Sequence, residues 1–583
     1  MKRLYPSFTI ILSLLSLCLC FMPARAQTGN DGDPIGQFEL KVPKKYKANI
    51  ADALKVTEKP ETADTTINKK AVSYSITAQP VSVEFRPEPL TAARIARIPV
   101  EKLHQGYVLG GFGLYGSPLA EFYYNSNRTS KYNFGVSAKH LSTQRGVKDI
   151  VFDNNAINRN NLSGHFNRFY KNIHWFTQAS IDINKTSYYG MPIIEGINED
   201  STIAEAPHIW RKAYAIKTGL REEQQGDLGV LGSAALDYYH FNDNFNSTEN
   251  NVGLETEWSF PVDDMALETG LNLRYYNTRF DSMVRPLDST GVLEQSYFTV
   301  NVNPRINVNY QDIKFRFGLN LYNISGDFSL GDSTISDFRF FPVAQAEYVL
   351  VEEVLSLEAG VTGYLQHHTY RSLSSANPFI DPGQVLTPTK TTDVYAGLKG
   401  KLSGNTSFNL RGGYQSKKDM PLFFRSSLFY LPTAIPGINT TYDDADIFYA
   451  LGGIEAQLGT NLYVAGHAKL QTFSMDVQEE AWHLPNFTAN VEARYLWLEK
   501  VQFSTQLRFV GSRPAFPEAF SDLSAFSNEL SSYLNADAGI EYLYNSRLSA
   551  FLKARNLLND DYALYLGYPN QNVNVFFGFT YKF

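Results

Sequence analysis

From His104 to the end of the chain, apolar and polar side chains alternate. Phe298, Val300, Val302, Ile306, Val308 and Tyr310 fall on one side of the period, and Thr299, Asn301, Asn303, Arg305, Asn307 and Asn309 on the other. Ile313, Phe315, Phe317, Leu319 and Leu321 oppose Lys314, Arg316, Gly318 and Asn320. The chain finishes with Val573, Val575, Phe577, Phe579, Tyr581 and Phe583 against Asn574, Phe576, Gly578, Thr580 and Lys582. Side chains on a strand point alternately to its two faces, so this period predicts strands with one apolar and one polar face. Such strands suit a sheet between hydrocarbon and water, but a soluble sandwich shows the same alternation.

The lengths of the connections separate these two cases. Reading the strands as hairpins predicts about 22 of them, from one beginning near His104 to one beginning near Gln571. Connections after even-numbered strands are tight, as at Gln311-Asp312, Glu352-Glu353, Gly459-Thr460-Asn461, Glu499-Lys500 and Asn545-Ser546. Those after most odd-numbered strands are long and polar, as at Pro192 to Ile209, Ser374 to Thr389, Pro421 to Asp446 and Pro514 to Ser532. Tight turns therefore gather at one rim and long loops at the other, the asymmetry of an outer-membrane barrel. Edge groups cannot be left unpaired in hydrocarbon, so the sheet must close. The expected fold is all-β, a transmembrane antiparallel barrel over residues 104–583 with both chain ends on the periplasmic side.

Composition supports this and removes alternatives. The chain has 583 residues, 14% of them aromatic: 36 Tyr, 40 Phe and 5 Trp, too many rings for a disordered chain. After the first 26 residues no uncharged apolar stretch approaches the roughly 20 residues of a spanning helix. Residues 1–26 read as a secretory signal: Lys2 and Arg3, an apolar core from Thr9 to Phe21, and Ala24-Arg25-Ala26 before Gln27. Cys18 and Cys20, the only cysteines, lie inside that segment, which leaves no disulfide or thiolate site in the mature chain. Leu17 and Leu19 stand where a lipoprotein signal wants a small residue. The mature chain keeps 49 basic and 59 acidic residues, a balance that excludes nucleic acid as a partner.

Residues 27–103 differ from the strand-rich region in composition. They hold seven prolines, a basic cluster at Lys41, Lys44, Lys45 and Lys47, and only four aromatics. This predicts an extended periplasmic or lumen-occluding segment, and a surface for a periplasmic partner.

The run Ala554-Arg555-Asn556-Leu557-Leu558-Asn559-Asp560-Asp561-Tyr562, then Leu566-Gly567-Tyr568-Pro569 and the strand to Phe583, resembles the last hairpin of TonB-dependent receptors. The Asn- and Tyr-rich strands also resemble envelope proteins of the Bacteroidetes. The receptor resemblance implies 22 strands, outer-membrane lipid as surroundings and transport as the activity. It also implies that Phe579, Tyr581 and Phe583 form the signal read by the barrel-assembly machinery. One departure is large: only 77 residues separate Gln27 from Leu103, too few for the family's plug domain. No TonB box stands out near Gln27, which speaks against coupling to TonB.

A barrel of this size encloses a wide lumen, and natural examples are plugged. The expected occupants are residues 27–103, inward-folded loops such as 421–446, or another protein. Expected lumen-facing charges, of both signs, include Glu268, Arg274, Arg305, Lys314, Arg316, Glu358, Lys553 and Arg555.

Other motifs carry no chemistry. Gly111-Phe112-Gly113-Leu114-Tyr115-Gly116 fits a dinucleotide pattern, but Ser117-Pro118 leads into a strand instead of a helix. Gly331-Asp332-Ser333 matches a lipase-like block, yet the only Asp-x-x-His, Asp237 to His240, precedes it in another hairpin. His367 and His368 are neighbours, which on a strand sends them to opposite faces. Asp443, Asp444 and Asp446 read as a solvated acidic loop, with a calcium loop as the alternative. No enzyme, metal or cofactor is expected, and no substrate-binding residues can be named. The expected function is solute transport across the outer membrane, with a passive porin-like channel or an envelope scaffold as alternatives.

Overall fold

The structure, a computed structural model, describes residues 104–127, 129–152, 155–190, 206–222, 231–262, 265–281, 292–327, 334–425, 437–516 and 529–583. The readings of the signal, of residues 27–103 and of Gly331-Asp332-Ser333 lie outside these residues. In chain order the barrel strands are β1 (Gly106–Gly113), β2 (Ser117–Asn125), β3 (Tyr132–Thr143), β4 (Ile157–Phe169), β5 (Ile173–Ser187), β6 (His208–Glu222) and β7 (Leu231–Asp243). Next come β8 (Ser247–Val262), β9 (Met265–Phe280), β10 (Leu293–Val302, resuming as Arg305–Tyr310), β11 (Ile313–Asp327), β12 (Thr334–Val351), β13 (Leu355–Gln366), β14 (Thr389–Ser403) and β15 (Thr406–Arg425). The set ends with β16 (Ile438–Leu458), β17 (Leu462–Met475), β18 (Phe487–Trp497), β19 (Val501–Val510), β20 (Tyr533–Leu543), β21 (Leu548–Arg555) and β22 (Asn574–Lys582).

Each strand pairs antiparallel with its neighbours in sequence, and β22 pairs with β1 from Tyr107↔Lys582 to Gly113↔Phe576. The sheet therefore closes as a 22-stranded barrel, as the hairpin reading predicts. The two parts of β10 both pair with β9 and β11, so they form one strand interrupted at Asn303-Pro304. Pro304 has no amide hydrogen to give a ladder, and the strand resumes one residue later.

The faces follow the alternation. Leu162, Ile216, Leu236, Val252, Leu267 and Phe317 are exposed large apolar side chains on the outer wall. In water such a continuous apolar surface would be costly, and in a bilayer it is the solvated one. No helix among the described residues is long and apolar enough to cross a membrane. All eight proposed lumen charges lie on the inner parity. The register pairs Arg305 with Glu268, Lys314 with Glu347, Arg316 with Gln345, Glu347 with Glu358 and Arg555 with Asn574. Gly253 faces Arg274, and Gly539 faces Lys553.

At the seam, Phe583 accepts from the Gln105 and Gly106 amides at 2.8 and 3.0 Å and donates its own amide to Gly106 at 3.0 Å. Its ring lies where a side chain at Gly106 would stand, about 2.0 Å from an added Cβ, so only glycine fits there. Phe579, Tyr581 and Phe583 all face outward and are exposed.

Two elements differ from expectation. Pro421 to Asp446 is largely not a loop: β15 runs to Arg425 and β16 begins at Ile438, so the hairpin stands well beyond the length a bilayer needs. On β16, Asn439 to Asp446 are largely polar on both faces, which hides the period while the backbone ladder continues. The glycine-rich motif near Gly111 is the β1–β2 hairpin, turned by Tyr115 and Gly116 at φ 60 and 64.

Candidate functional site at the outer mouth

The long connections fold inward and meet one another. The β13–β14 connection opens with the short helix α1 (Tyr370–Ala376), started by a capping box between Thr369 and Ser372. The Tyr370 and Arg371 amides donate to Glu249 on the inner wall of β8 at 2.6 and 3.3 Å. Glu249 also accepts from the Tyr239 hydroxyl at 2.8 Å, and the Tyr370 hydroxyl donates to Asp243 at 2.8 Å. Tyr370 and Leu373 bury themselves against Phe241, Phe280 and Leu293. The wall thus fixes the connection inside the rim.

Beyond α1, Phe379 stacks on Tyr568 at 3.7 Å between ring centroids, and Tyr189 meets both edge-on. These three rings come from the β13–β14, β21–β22 and β5–β6 connections, which are spaced by eight, eight and six strands around the ring. Loops rooted so far apart can touch only across the lumen. Phe152, Ile209 and Ile438 complete the packed layer.

Three buried arginines hold this layer by its backbone. Arg211 donates to Pro378 O at 2.6 Å and to Ile380 O at 2.7 Å, and the Tyr188 hydroxyl reaches the same Ile380 oxygen at 2.9 Å. Arg425 donates to Leu566 O at 3.0 Å and to Gly190 O. Arg513 donates to Leu564 O at 2.8 Å and to Ala563 O at 2.6 Å. A guanidinium is planar, permanently charged and carries five donors, which suits it to bridging two carbonyls of an irregular loop. Parity along a strand signals only that Arg211 faces inward, and Arg425 falls in a stretch read as loop, so sequence reasoning missed these partners.

Two ionisable groups sit within the closure. His483 is buried, and its pKa is pushed down to about 4 by that burial. Its Nδ1 donates to Phe423 O at 2.9 Å, while Nε2 accepts from the Leu566 amide at 3.3 Å, which requires the neutral ring. Asp381 is buried too, and Oδ1 has no hydrogen-bond partner. Burial raises its pKa well above the usual carboxylate range, opposed by Arg211.

The acidic triplet belongs to β16 and serves structure. Asp443 accepts from the Asp444, Val477 and Gln478 amides, Asp444 from the Asp419 amide, and Asp446 from the Tyr414 hydroxyl. His367 stacks on Tyr276 at 4.9 Å, whereas His368 bonds the Thr389 hydroxyl at 2.7 Å, so the pair diverges. Asp237 ion-pairs with Arg274 at 2.9 Å.

Below the closure, much of the inner wall is internally neutralised. Arg274 also pairs with Glu255 at 2.7 Å, Arg411 with Glu358 at 2.5 Å, Lys399 with Glu347 at 3.0 Å and Arg316 with Glu268 at 4.0 Å. Lys553 and Arg555 instead lie over the rings of Phe551 and Phe576, at 4.9 and 5.1 Å.

This architecture recurs in solved structures. The ferripyoverdine receptor of the outer membrane of Pseudomonas aeruginosa is 13% identical, over 83% of this chain and 72% of that one, with a TM-score of 0.62. The FrpB iron transporter from Neisseria meningitidis (F3-3 variant) is 12% identical over 83% and 82%, with a TM-score of 0.63. The ferric-catecholate import receptor Fiu from E. coli K12 is 10% identical over 82% and 82%, with a TM-score of 0.61. The chain has the barrel fold of TonB-dependent outer-membrane receptors. No protein-family model and no curated protein matches it in sequence.

Proposed function

We propose that the protein is an outer-membrane transporter of the receptor type, for an unidentified solute, whose outer mouth is closed by its own loops. The observation that carries this reading is the junction of Tyr189, Phe379 and Tyr568, which joins connections from three separated points of the rim. A scaffold barrel needs no such closure, and a passive pore would be obstructed by it. Phe579, Tyr581 and Phe583, aligned outward on the closing strand, serve as the assembly signal in this reading, and residues 27–103 as the docking segment for a periplasmic partner. No catalytic role is assigned.

Planar-bilayer conductance tests the proposal. The purified full-length protein should be nearly silent, and a variant with residues 370–386 replaced by a Gly-Ser linker should open large, long-lived steps. Free conduction by the unaltered protein would favour the porin-like reading. Silence in both forms would mean that the loops are not the barrier and would favour the scaffold.

A further inference from the structure

Beneath the closure, on the side of β3, β4 and β19 to β22, lies a recess of about 460 Å³. Its charge differs from that of the wall around Arg274, Lys399 and Arg411, where the cations are paired. Arg159, Arg508 and Arg555 line it without an ion-pair partner among the described residues, and Arg145 lines it as well. Asp537 is the single carboxylate in the lining, and its Oδ1 already accepts from the Asn556 amide at 3.0 Å. An adjoining recess of about 370 Å³ shares Arg508, adds His467 and Lys469, and has no carboxylate in its lining.

A second observation is independent of charge. Asn155, Asn535, Asn556 and Asn574 line the larger recess, and the side-chain oxygen of each is buried without a hydrogen-bond partner in the protein. Asn155, Asn556 and Asn574 are themselves more than nine-tenths buried. Their orientations are fixed. The Asn155 and Asn556 amide nitrogens donate to the carbonyls of Val147 (3.5 Å) and Gln571 (2.9 Å). Asn574 donates to Ser117 Oγ at 3.2 Å, whose own proton goes to Leu114 O. Flipping any of these amides would turn an oxygen toward an acceptor that the nitrogen now serves. Four residues of one lining hold acceptors without a protein donor, a cost that a folded chain rarely accepts, and each oxygen is covered until an entering ligand displaces its neighbours.

We propose that this recess is a binding subsite for a hydroxylated anionic solute of the acidic-saccharide class. The proposal rests on the transporter reading and names its substrate class. Guanidiniums without a carboxylate partner favour an anion, and unserved amide oxygens favour donors. A hydroxyl-poor anion would satisfy the arginines and leave the amides unserved, while a neutral sugar would do the reverse. An amine donor would be repelled by the arginines.

Isothermal titration of the full-length protein in detergent, where both rims are open to solvent, tests this with digalacturonate, cellobiose and tricarballylate as probes. Digalacturonate should bind, and the other two should bind at least about tenfold more weakly. Arg508→Gln and Arg555→Gln should each weaken digalacturonate about tenfold, and Arg339→Gln, on β12 with its guanidinium 2.8 Å from Asp337, should leave it unchanged. Circular dichroism confirms that each variant is folded. No binding of digalacturonate, equal binding of all three probes, or indifference to both substitutions would overturn the subsite. Binding is read here without transport. A silent loop variant in the bilayer would remove the transporter reading alone, whereas absent binding by a protein whose loop variant opens would remove the subsite alone.

Discussion

Arg211, Arg425 and Arg513 each spend a permanent charge on backbone carbonyls of connections distant in sequence, up to 235 residues away for the Arg425 bond to Gly190. Removing such a group leaves buried oxygens unserved, so Arg425→Ala should destabilise the closure by about 2–3 kcal/mol. Faster hydrogen exchange at residues 563–569, with the barrel amides unchanged, would show it. His483 and Asp381 act in opposite directions with pH. The His483 pKa is lowered on folding, so its contribution is full above its unfolded value of about 6.5 and is lost as the pH falls toward about 4. His367 and His368, also held near 4 by burial, add to the same trend. The Asp381 pKa is raised, so its contribution is full in acid and is lost as the pH climbs above the ordinary carboxylate value. Asp381→Asn should therefore tighten the closure at pH 8 and change little at pH 4, again read by exchange in the loops. None of these roles was legible in the sequence. Parity assigned Arg274 and Glu358 to the lumen correctly, because direction along a strand is a local property. Which carbonyl a guanidinium finds across the mouth is set by tertiary folding.

Among the elements, the period-two pattern located nearly every strand because lipid and lumen impose opposite demands on neighbouring residues. It failed where that contrast ends. Asn439 to Asp446 stand above the bilayer with polar groups on both faces, so the upper part of β16 read as loop. The contrast itself makes a sharp prediction in β6. Ile216 is exposed on the outer wall, and Lys217 faces inward with its ammonium 2.6 Å from Glu255. Ile216→Lys should cost about 2–4 kcal/mol near the bilayer midplane, whereas Lys217→Gln should cost about 1 kcal/mol or less, its ion pair being partly exposed. Denaturant unfolding from lipid vesicles would measure both. On β1, Gly106→Val would collide with the Phe583 ring and should sharply lower the yield of heat-modifiable folded barrel on cold SDS gels.

For the whole molecule, closure of the sheet was legible because an edge in hydrocarbon is untenable, and the count of strands was legible from the alternation of tight turns and long loops. The closure of the mouth was legible only as a need: an unobstructed lumen of this width would leak. Which loops meet that need depends on contacts such as Phe379 on Tyr568, which have no local signal. The sector near β19 to β21 whose cations have no ion pair among the described residues was hidden for the same reason, since Arg508 and Arg555 look like Arg274 and Arg411 until their neighbours are known.

The seam between β22 and β1 also orders events in time. The Phe583 carbonyl is the one that meets Gln105 and Gly106, so the ring cannot shut until β22 has been made. A chain cut short before Asn574 would present two raw edges, β1 and β21, each a row of unclaimed amides and carbonyls. Without β22 the product is no smaller pore but an open ribbon.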